Sequence, residues 1–551
     1  MAEEEGHAGP WPRVIYNYDG ESAYWPIWVW PRMRDRTRWP VSQQEFLGWA
    51  IKDWCDSSID AFFWNPGSCT VYTIRLETGE AYGMRHRADI SVDMEQLTRE
   101  EGTFSPGVLR ELGKAVVIQC RKFWAEGTDD LRMVVEAGHR REKRVYASFR
   151  MNDAHFQHDG YEYLWCQFNR DHPELNQHGP RTLPDYVHPE VRKWRLSHIE
   201  EVCTKWDIDG IELDWYRNPD LFADKPWRKS GILDEFMGQV RQVVADCAER
   251  RGRSIAVAAR TPENLEISMA CGIDLRTWLA KGYVDLLVVG AGIFSMDYPS
   301  EDVLAVAHTH GIPVYACLNY YRAEPVVWAC AANAYQKGFD GLYLFNWMTT
   351  EAYRNLERPL LRQLSGPDSC RGRSKLYMAE RLHPWYEENN KGQLVWRPAL
   401  PLPMSFSSGP LCFGIRASEH RDDLEQARTV LRLVIDGQPE IENLAVTLNN
   451  VSLDPAADYS SPDREALRAS EGLSNRQGAY GGYHSKVHPP TSTFEVAPGD
   501  LFLGVNRVVV RGEPKGGESI LREAQLFVDY SCTSPLTTRR AGRNDGSESH
   551  R

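Results

Sequence analysis

At 551 residues, 42% hydrophobic and 26% charged, the chain has a globular composition but is too long for one ordinary domain, so a large barrel or α/β domain plus a second module is expected. A net charge of −13 and the absence of any Lys/Arg-rich block before the C-terminal tail argue against a nucleic-acid partner. No apolar run approaches the roughly 18 residues of a membrane span, so no membrane partner is expected either.

The start, MAEEEGHAGP, has neither a basic nor an apolar leader region, which reads as cytoplasmic; a trimmed signal peptide would make the protein secreted or periplasmic. Twelve scattered Cys without a C-x-x-C or zinc spacing read as reduced, buried thiols. Nineteen Trp and 24 Tyr exceed the needs of a core and match the flat faces on which sugar rings stack. The oligomeric state stays unknown.

Eight β-branched or aromatic runs follow in chain order: 14-VIYNYDGE, 59-IDAFFWN, 144-RVYASFRMND, 208-IDGIELDWYR, 254-SIAVAART, 284-VDLLVVGAG, 313-PVYACLN and 340-DGLYLFNW. Helix-like segments separate them, such as 189-PEVRKWRLSHIEEVCTKW with Pro at its start and 324-EPVVWACAANAYQKG with a Gly stop. This alternation predicts an α/β fold, a (β/α)8 TIM barrel over 14–366. A doubly wound sheet would want a Gly-rich turn after its first strand, and YNYDGESAYW is not one. The long segments 65–105 and 153–187 leave the C-terminal ends of strands and are expected to wall a cleft. Residues 367–400 read as a linker. Over 401–535, alternating runs such as 430-VLRLVIDG, 443-NLAVTLNNVSL and 501-LFLGVNRVVVRG predict a jelly-roll-like β-sandwich, structural or avidity-giving, with direct sugar binding as the alternative. The tail 536–551 reads as disordered.

In the fourth strand Gly210, Glu212 and Asp214 share one face, opposite Ile211 and Leu213. Two inward carboxylates need partners or a purpose. The stretches 185-DYVHPEVRKW and 206-WDIDGIELDWYR resemble glycosyl-hydrolase-like barrel proteins related to family 10. The resemblance implies a (β/α)8 fold and a carbohydrate substrate across about 14–366. The run 209-DGIELDWY is also similar to the D-G-x-D-x-D-x-E strand of family 18 chitinases, with Glu212 and Asp214 at the middle and last Asp. Tyr216 stands where the chitinase acid would be, and a phenol of pKa ~10 is a poor proton donor beside a carboxylic acid tuned to ~6.

A glycosidase usually needs a second carboxylate, and Asp19, Glu21, Asp153, Glu263, Asp297 and Glu324 follow strand ends; Glu263 and Glu324 also read as first-turn helix acids. Alternation aims Arg150 and Arg260 inward, with Arg217 and Arg322 following strands four and seven. Such a ring of guanidinium groups points to an anionic sugar, uronate or sulfated; the alternative is Arg150–Glu212 and Arg260–Asp214 ion pairs inside the barrel. Asn152, Asp153 and Asn319 complete the polar contacts, and Trp215, Tyr320, Tyr321, Trp347 and Trp64 are candidate stacking platforms, Trp347 foremost. His155 and His158 near Asp153 and Asp159 lack the helical spacing of a metalloenzyme, so no metal or other cofactor is expected.

Three readings follow. The first is a glycoside hydrolase on an anionic poly- or oligosaccharide, with Asp214 as acid/base or nucleophile and Glu212 in support. The second is a polysaccharide lyase, in which an Arg neutralises a uronate and Tyr216 or His155 removes the C5 proton. The third is a non-catalytic carbohydrate-binding barrel.

Overall fold

The computed structural model describes residues 11–24, 39–51, 57–68, 71–84, 89–99, 105–153, 162–177, 183–290, 296–297, 299–319, 324–345, 360–379, 402, 404–436, 441–456, 491–514 and 519–531. Eight strands pair in parallel in chain order: β1 (Val14–Asp19), β2 (Ala61–Asn65), β3 (Arg144–Arg150), β4 (Gly210–Asp214), β5 (Ala256–Thr261), β6 (Leu286–Val289), β7 (Val314–Asn319) and β8 (Gly341–Phe345). Strand β8 closes on β1, leaving the sheet without a free edge. Each strand falls within a run whose composition predicts one.

The helices between strands include α1 (Pro106–Ala125), α2 (Asp130–His139), α3 (Pro189–Lys205), α4 (Ser230–Arg251), α5 (Leu265–Ala270), α6 (Leu275–Ala280), α7 (Glu301–Thr309) and α8 (Glu324–Lys337). Their ends follow local chemistry. Pro opens α1 and α3, where its missing N–H costs nothing. The side chains of Ser105, Asp129 and Asn264 accept from first-turn amides of α1, α2 and α5. Helix α4 stops at Gly252, whose φ of +66° is left-handed.

Inside the barrel, Ile15, Phe63, Tyr146, Leu286, Tyr315, Cys317 and Tyr343 form a buried cluster. Tyr146 stacks on Phe63 with ring centroids 4.4 Å apart. Room for that ring comes from Gly210: a Cβ there would lie 2.2 Å from Tyr146 and 2.8 Å from the Ala256 carbonyl oxygen. Gly341 stands in the same relation to Tyr315, whose ring would lie 2.6 Å from an added Cβ. Toward the C-terminal ends the lining turns polar, and Ser148, Glu212 and Ala258, then Arg150, Asp214 and Arg260, align across β3, β4 and β5.

The chain divides into two compact units, the second built on antiparallel sheets. One sheet runs β9 (Lys375–Met378), β16 (Ile520–Asp529), β11 (Arg428–Asp436), β14 (Thr491–Val496); the other runs β10 (Leu411–Ala417), β15 (Gly504–Pro514), β12 (Ile441–Leu448), β13 (Val451–Ser452). Strand β9 lies inside the stretch read as a linker, and that reading is corrected: Lys375 is buried, its ammonium 3.0 Å from the Glu419 carboxylate, which also accepts from Tyr377 and Tyr530 at 2.9 Å. Its polar ends hid it from a search for apolar runs. The tail 536–551 lies outside the described residues.

Among the described cysteines none is bridged, and all but Cys412 are buried. No described helix is long and apolar enough to cross a membrane.

Gly210→Ala is expected to destabilise the protein by about 1–3 kcal/mol through overpacking against Tyr146. Urea unfolding followed by Trp fluorescence measures this, and an unchanged midpoint contradicts the close-approach argument.

Candidate active site

Asp214 ends β4 on the interior face and is held from every side. Arg260 donates from Nε to Oδ1 and from Nη2 to Oδ2, both at 2.9 Å. The backbone amides of Tyr216 and Arg217 both donate to Oδ1 at 3.0 Å, because the chain curls over the carboxylate as it leaves the strand. The two side chains are 1% and 3% exposed, so this pair is fully desolvated. Arg260 is equally engaged: Nη1 donates to the Gly290 carbonyl at 3.1 Å and its guanidinium lies 4.1 Å from the Phe345 ring centroid. The Arg260–Asp214 ion pair weighed from sequence is therefore present. Asp214 acts as an acceptor through both oxygens, the bonding pattern of an anion and not of a proton donor.

The Arg150–Glu212 pair does not form. Arg150 reaches past Glu212 to the rim and donates from Nη1 to Asp153 at 2.8 Å and from Nη2 to Asp19 at 2.7 Å. Arg217 stands 3.9 Å from the same Asp153. Glu212, a layer deeper, accepts from Ser148 Oγ at 2.5 Å, while its Oε1 and the Tyr343 hydroxyl make no geometrically sound hydrogen bond. Burial first, and the charge of Asp214 second, push the Glu212 carboxyl up to about 7. A group in this setting supports the strand interior in its neutral form.

Two residues beyond Asp214, alternation returns the side chain to the interior face, and Tyr216 donates its hydroxyl to Glu263 Oε2 at 2.8 Å. Glu263 is 1% exposed. Its sequence context allows either a partner carboxylate or a first-turn helix acid. It precedes the N-cap Asn264, so it lies outside α5 and turns into the mouth. The cap itself was the signal: in Thr-Pro-Glu-Asn the Asn takes the capping role and releases the Glu. Tyr216, Glu263, Asp214 and Arg260 thus meet at the C-terminal ends of β4 and β5, where barrel active sites are built.

Other expectations are corrected. Trp215 is not a platform. It occupies the outward position between Asp214 and Tyr216, is fully buried, and packs edge-to-face on Tyr186 and Phe236 with centroids 5.4 and 6.0 Å away. Trp64 is buried too, donating to Asp130 at 2.9 Å and stacking on Tyr18 at 5.2 Å. Asn152 lies past the end of β3, where its amide donates to the carbonyls of Asp220 at 2.7 Å and Pro184 at 3.4 Å and braces two loops. Asp153 serves Arg150. Asp297 pairs with Lys337, and Glu324 accepts from Trp328 within the first turn of α8. His155, His158, Asp159, Tyr320, Tyr321, Arg322, Trp347 and the Asn319 side chain lie outside the described residues. Among the described residues no cluster of three or more His, Cys, Asp or Glu is arranged to hold a metal ion.

Asp214→Asn leaves Arg260 buried without its anion and is expected to cost about 3–5 kcal/mol in urea unfolding, with partial recovery in Asp214→Asn/Arg260→Met. For Glu212 the folded value lies above the ordinary one of 4.5, so its contribution to stability is complete below that pH and is lost as pH rises through about 7. Glu212→Gln should flatten the urea midpoint between pH 5 and pH 8 relative to the parent; parallel pH profiles contradict this assignment.

Residues 115–224 match the sequence model of the family described as Glycosyl hydrolase-like 10, a span that includes both motifs carrying the family 10-related resemblance. No curated protein matches the chain by sequence. Among solved structures, the glycoside hydrolase domain of PgaB (BpsB) from Bordetella bronchiseptica is 12% identical, with 65% of this chain and 99% of that one covered and a TM-score of 0.39. A glycoside hydrolase family 18 N-acetylglucosaminidase from Paenibacillus barengoltzii is 9% identical, with coverage of 64% and 99% and a TM-score of 0.33. The segment from α1 to the loop after β4 thus carries the sequence pattern of the glycosyl hydrolase-like 10 family on a closed (β/α)8 barrel.

Proposed function

We propose that the protein is a carbohydrate-active enzyme that hydrolyses glycosidic bonds of a poly- or oligosaccharide at this mouth. Glu263 exchanges the proton with the glycosidic oxygen, while Asp214, held as an anion by Arg260 and two backbone amides, fixes the charged layer beside it. Glycoside hydrolysis proceeds through an oxocarbenium-like transition state and commonly uses two carboxylates in different protonation roles. The observation that carries the reading is the contrast between them. Asp214 is locked as an acceptor by Arg260 and two amides, while Glu263 meets a phenol able to follow its protonation. Tyr216 is then a positioning residue, which accounts for a Tyr where a chitinase would carry its acid. The Asp19–Arg150–Asp153 group borders the same rim.

Elimination is the weaker reading. It calls for a cation that neutralises a uronate, and Arg150 and Arg260 are each already committed to carboxylates. An anionic sugar remains the substrate class we favour, but its charge must be met outside these buried pairs.

Neutral, uronate-containing and sulfated polysaccharides are to be assayed together for new reducing ends and for the ultraviolet absorbance of unsaturated uronate. Reducing ends without absorbance are expected. Glu263→Gln should lower that rate by about 10²- to 10⁴-fold in a variant that urea unfolding shows to be folded. Reducing ends accompanied by absorbance establish a lyase, and binding without turnover establishes a non-catalytic barrel.

A further inference from the structure

The loop after β4 carries a second feature on the C-terminal face. In 224-DKPWRK-229 the Pro226–Arg228 segment forms a 3₁₀ turn, closed by Arg228 N donating to the Lys225 carbonyl at 3.0 Å. Trp227 within it is 47% exposed, an unusual state for the largest side chain. Lys225 and Arg228 are exposed on either side of it, three residues apart within one turn.

This turn is built, not loose. Lys225 holds a left-handed backbone at φ +41° directly before a proline, where a side-chain-bearing residue is disfavoured twice over. Such strain persists only where the surroundings impose it. The loop is tied down at several points: Asp220 O accepts from Asn152 and Gln177 at 2.7 Å, Tyr186 N donates to Leu221 O at 3.0 Å, and Ala223 N donates to Asp185 at 3.2 Å. Gly272 lets Phe222 and the Pro226 carbonyl approach to within 2.9 Å of where its Cβ would be. The turn also packs against α5, the helix that begins two residues after Glu263.

We propose that Lys225, Trp227 and Arg228 form a subsite for an anionic sugar at the rim of the mouth. The indole stacks on the apolar face of a pyranose ring, and the two cations meet its carboxylate or sulfate. A rigid indole loses little conformational freedom on binding, and flanking cations favour a charged ring over a neutral one. The inference rests on the carbohydrate reading and supplies the cationic contact that the buried arginines do not. It also implies that the substrate spans more than the sugars at the scissile bond.

The test uses the full chain in native affinity gels containing polygalacturonate, chondroitin sulfate or neutral hydroxyethyl cellulose, alongside the reducing-end assay. At least one anionic glycan is expected to retard the parent more than hydroxyethyl cellulose does. Trp227→Ala and Lys225→Gln/Arg228→Gln should each weaken that retardation about tenfold with unchanged urea midpoints. Variants that bind like the parent, a parent that none of the glycans retards, or equal retardation by a single-stranded oligonucleotide would each overturn the subsite. Binding that is lost in the variants while the parent cleaves nothing upholds the subsite and removes the hydrolase reading. Cleavage with unaltered binding in the variants does the reverse.

Discussion

The ion pair between Asp214 and Arg260 is the constraint around which this barrel mouth is arranged. Two opposite charges taken out of water are costly unless each finds good partners, and the loss is severe when only one remains. Here both are fully matched: the carboxylate takes a bidentate guanidinium and two amides, and the guanidinium also takes a carbonyl and an aromatic face. Strands β4 and β5 bring the two residues into register, and the amides are available only because the chain turns over Asp214 after leaving β4. That turn sends Trp215 into the core and Tyr216 back to the mouth.

The consequences run down the barrel as well as outward. One layer below, Glu212 sits under the negative charge of Asp214 with a serine hydroxyl as its hydrogen-bond partner, and the neutral form is favoured there. Deeper still, glycines at the start of β4 and β8 admit flat tyrosine rings that fill the interior. The barrel therefore passes from an aromatic plug through a neutral acid to a locked anion, and the hydrogen-bonded Tyr216 and Glu263 lie at the C-terminal ends of the strands. This is a gradient of polarity along one axis, produced by alternate residues of the strands.

Much of this was legible in the sequence. Period-two alternation placed Glu212, Asp214, Arg150 and Arg260 on interior faces, and eight apolar runs in alternation with helices specified the barrel. Partner choice was not legible, because it depends on which side chain reaches which layer. Arg150 is long enough to pass Glu212 and join Asp19 and Asp153 at the rim, and no spacing rule separates that from the shorter reach. Trp215 shows the opposite failure: strict alternation already placed it outward, but an aromatic beside catalytic-looking acids drew a binding role. Strand β9 went unread because a buried lysine satisfied by one glutamate and two tyrosines looks polar in one dimension. Trp227 went unread because exposure is a property of the folded loop, not of the residue.

The central claim is that water is added across a glycosidic bond at this mouth. The direct measurement is digestion of the susceptible polysaccharide in isotopically heavy water, followed by mass spectrometry of the released oligosaccharides. Hydrolysis predicts one heavy oxygen per cleavage, on the fragment that gains the new reducing end, with the other fragment unlabelled and saturated, and essentially no labelled product from Glu263→Gln. Unlabelled products lighter by the mass of water would mean elimination and would contradict it.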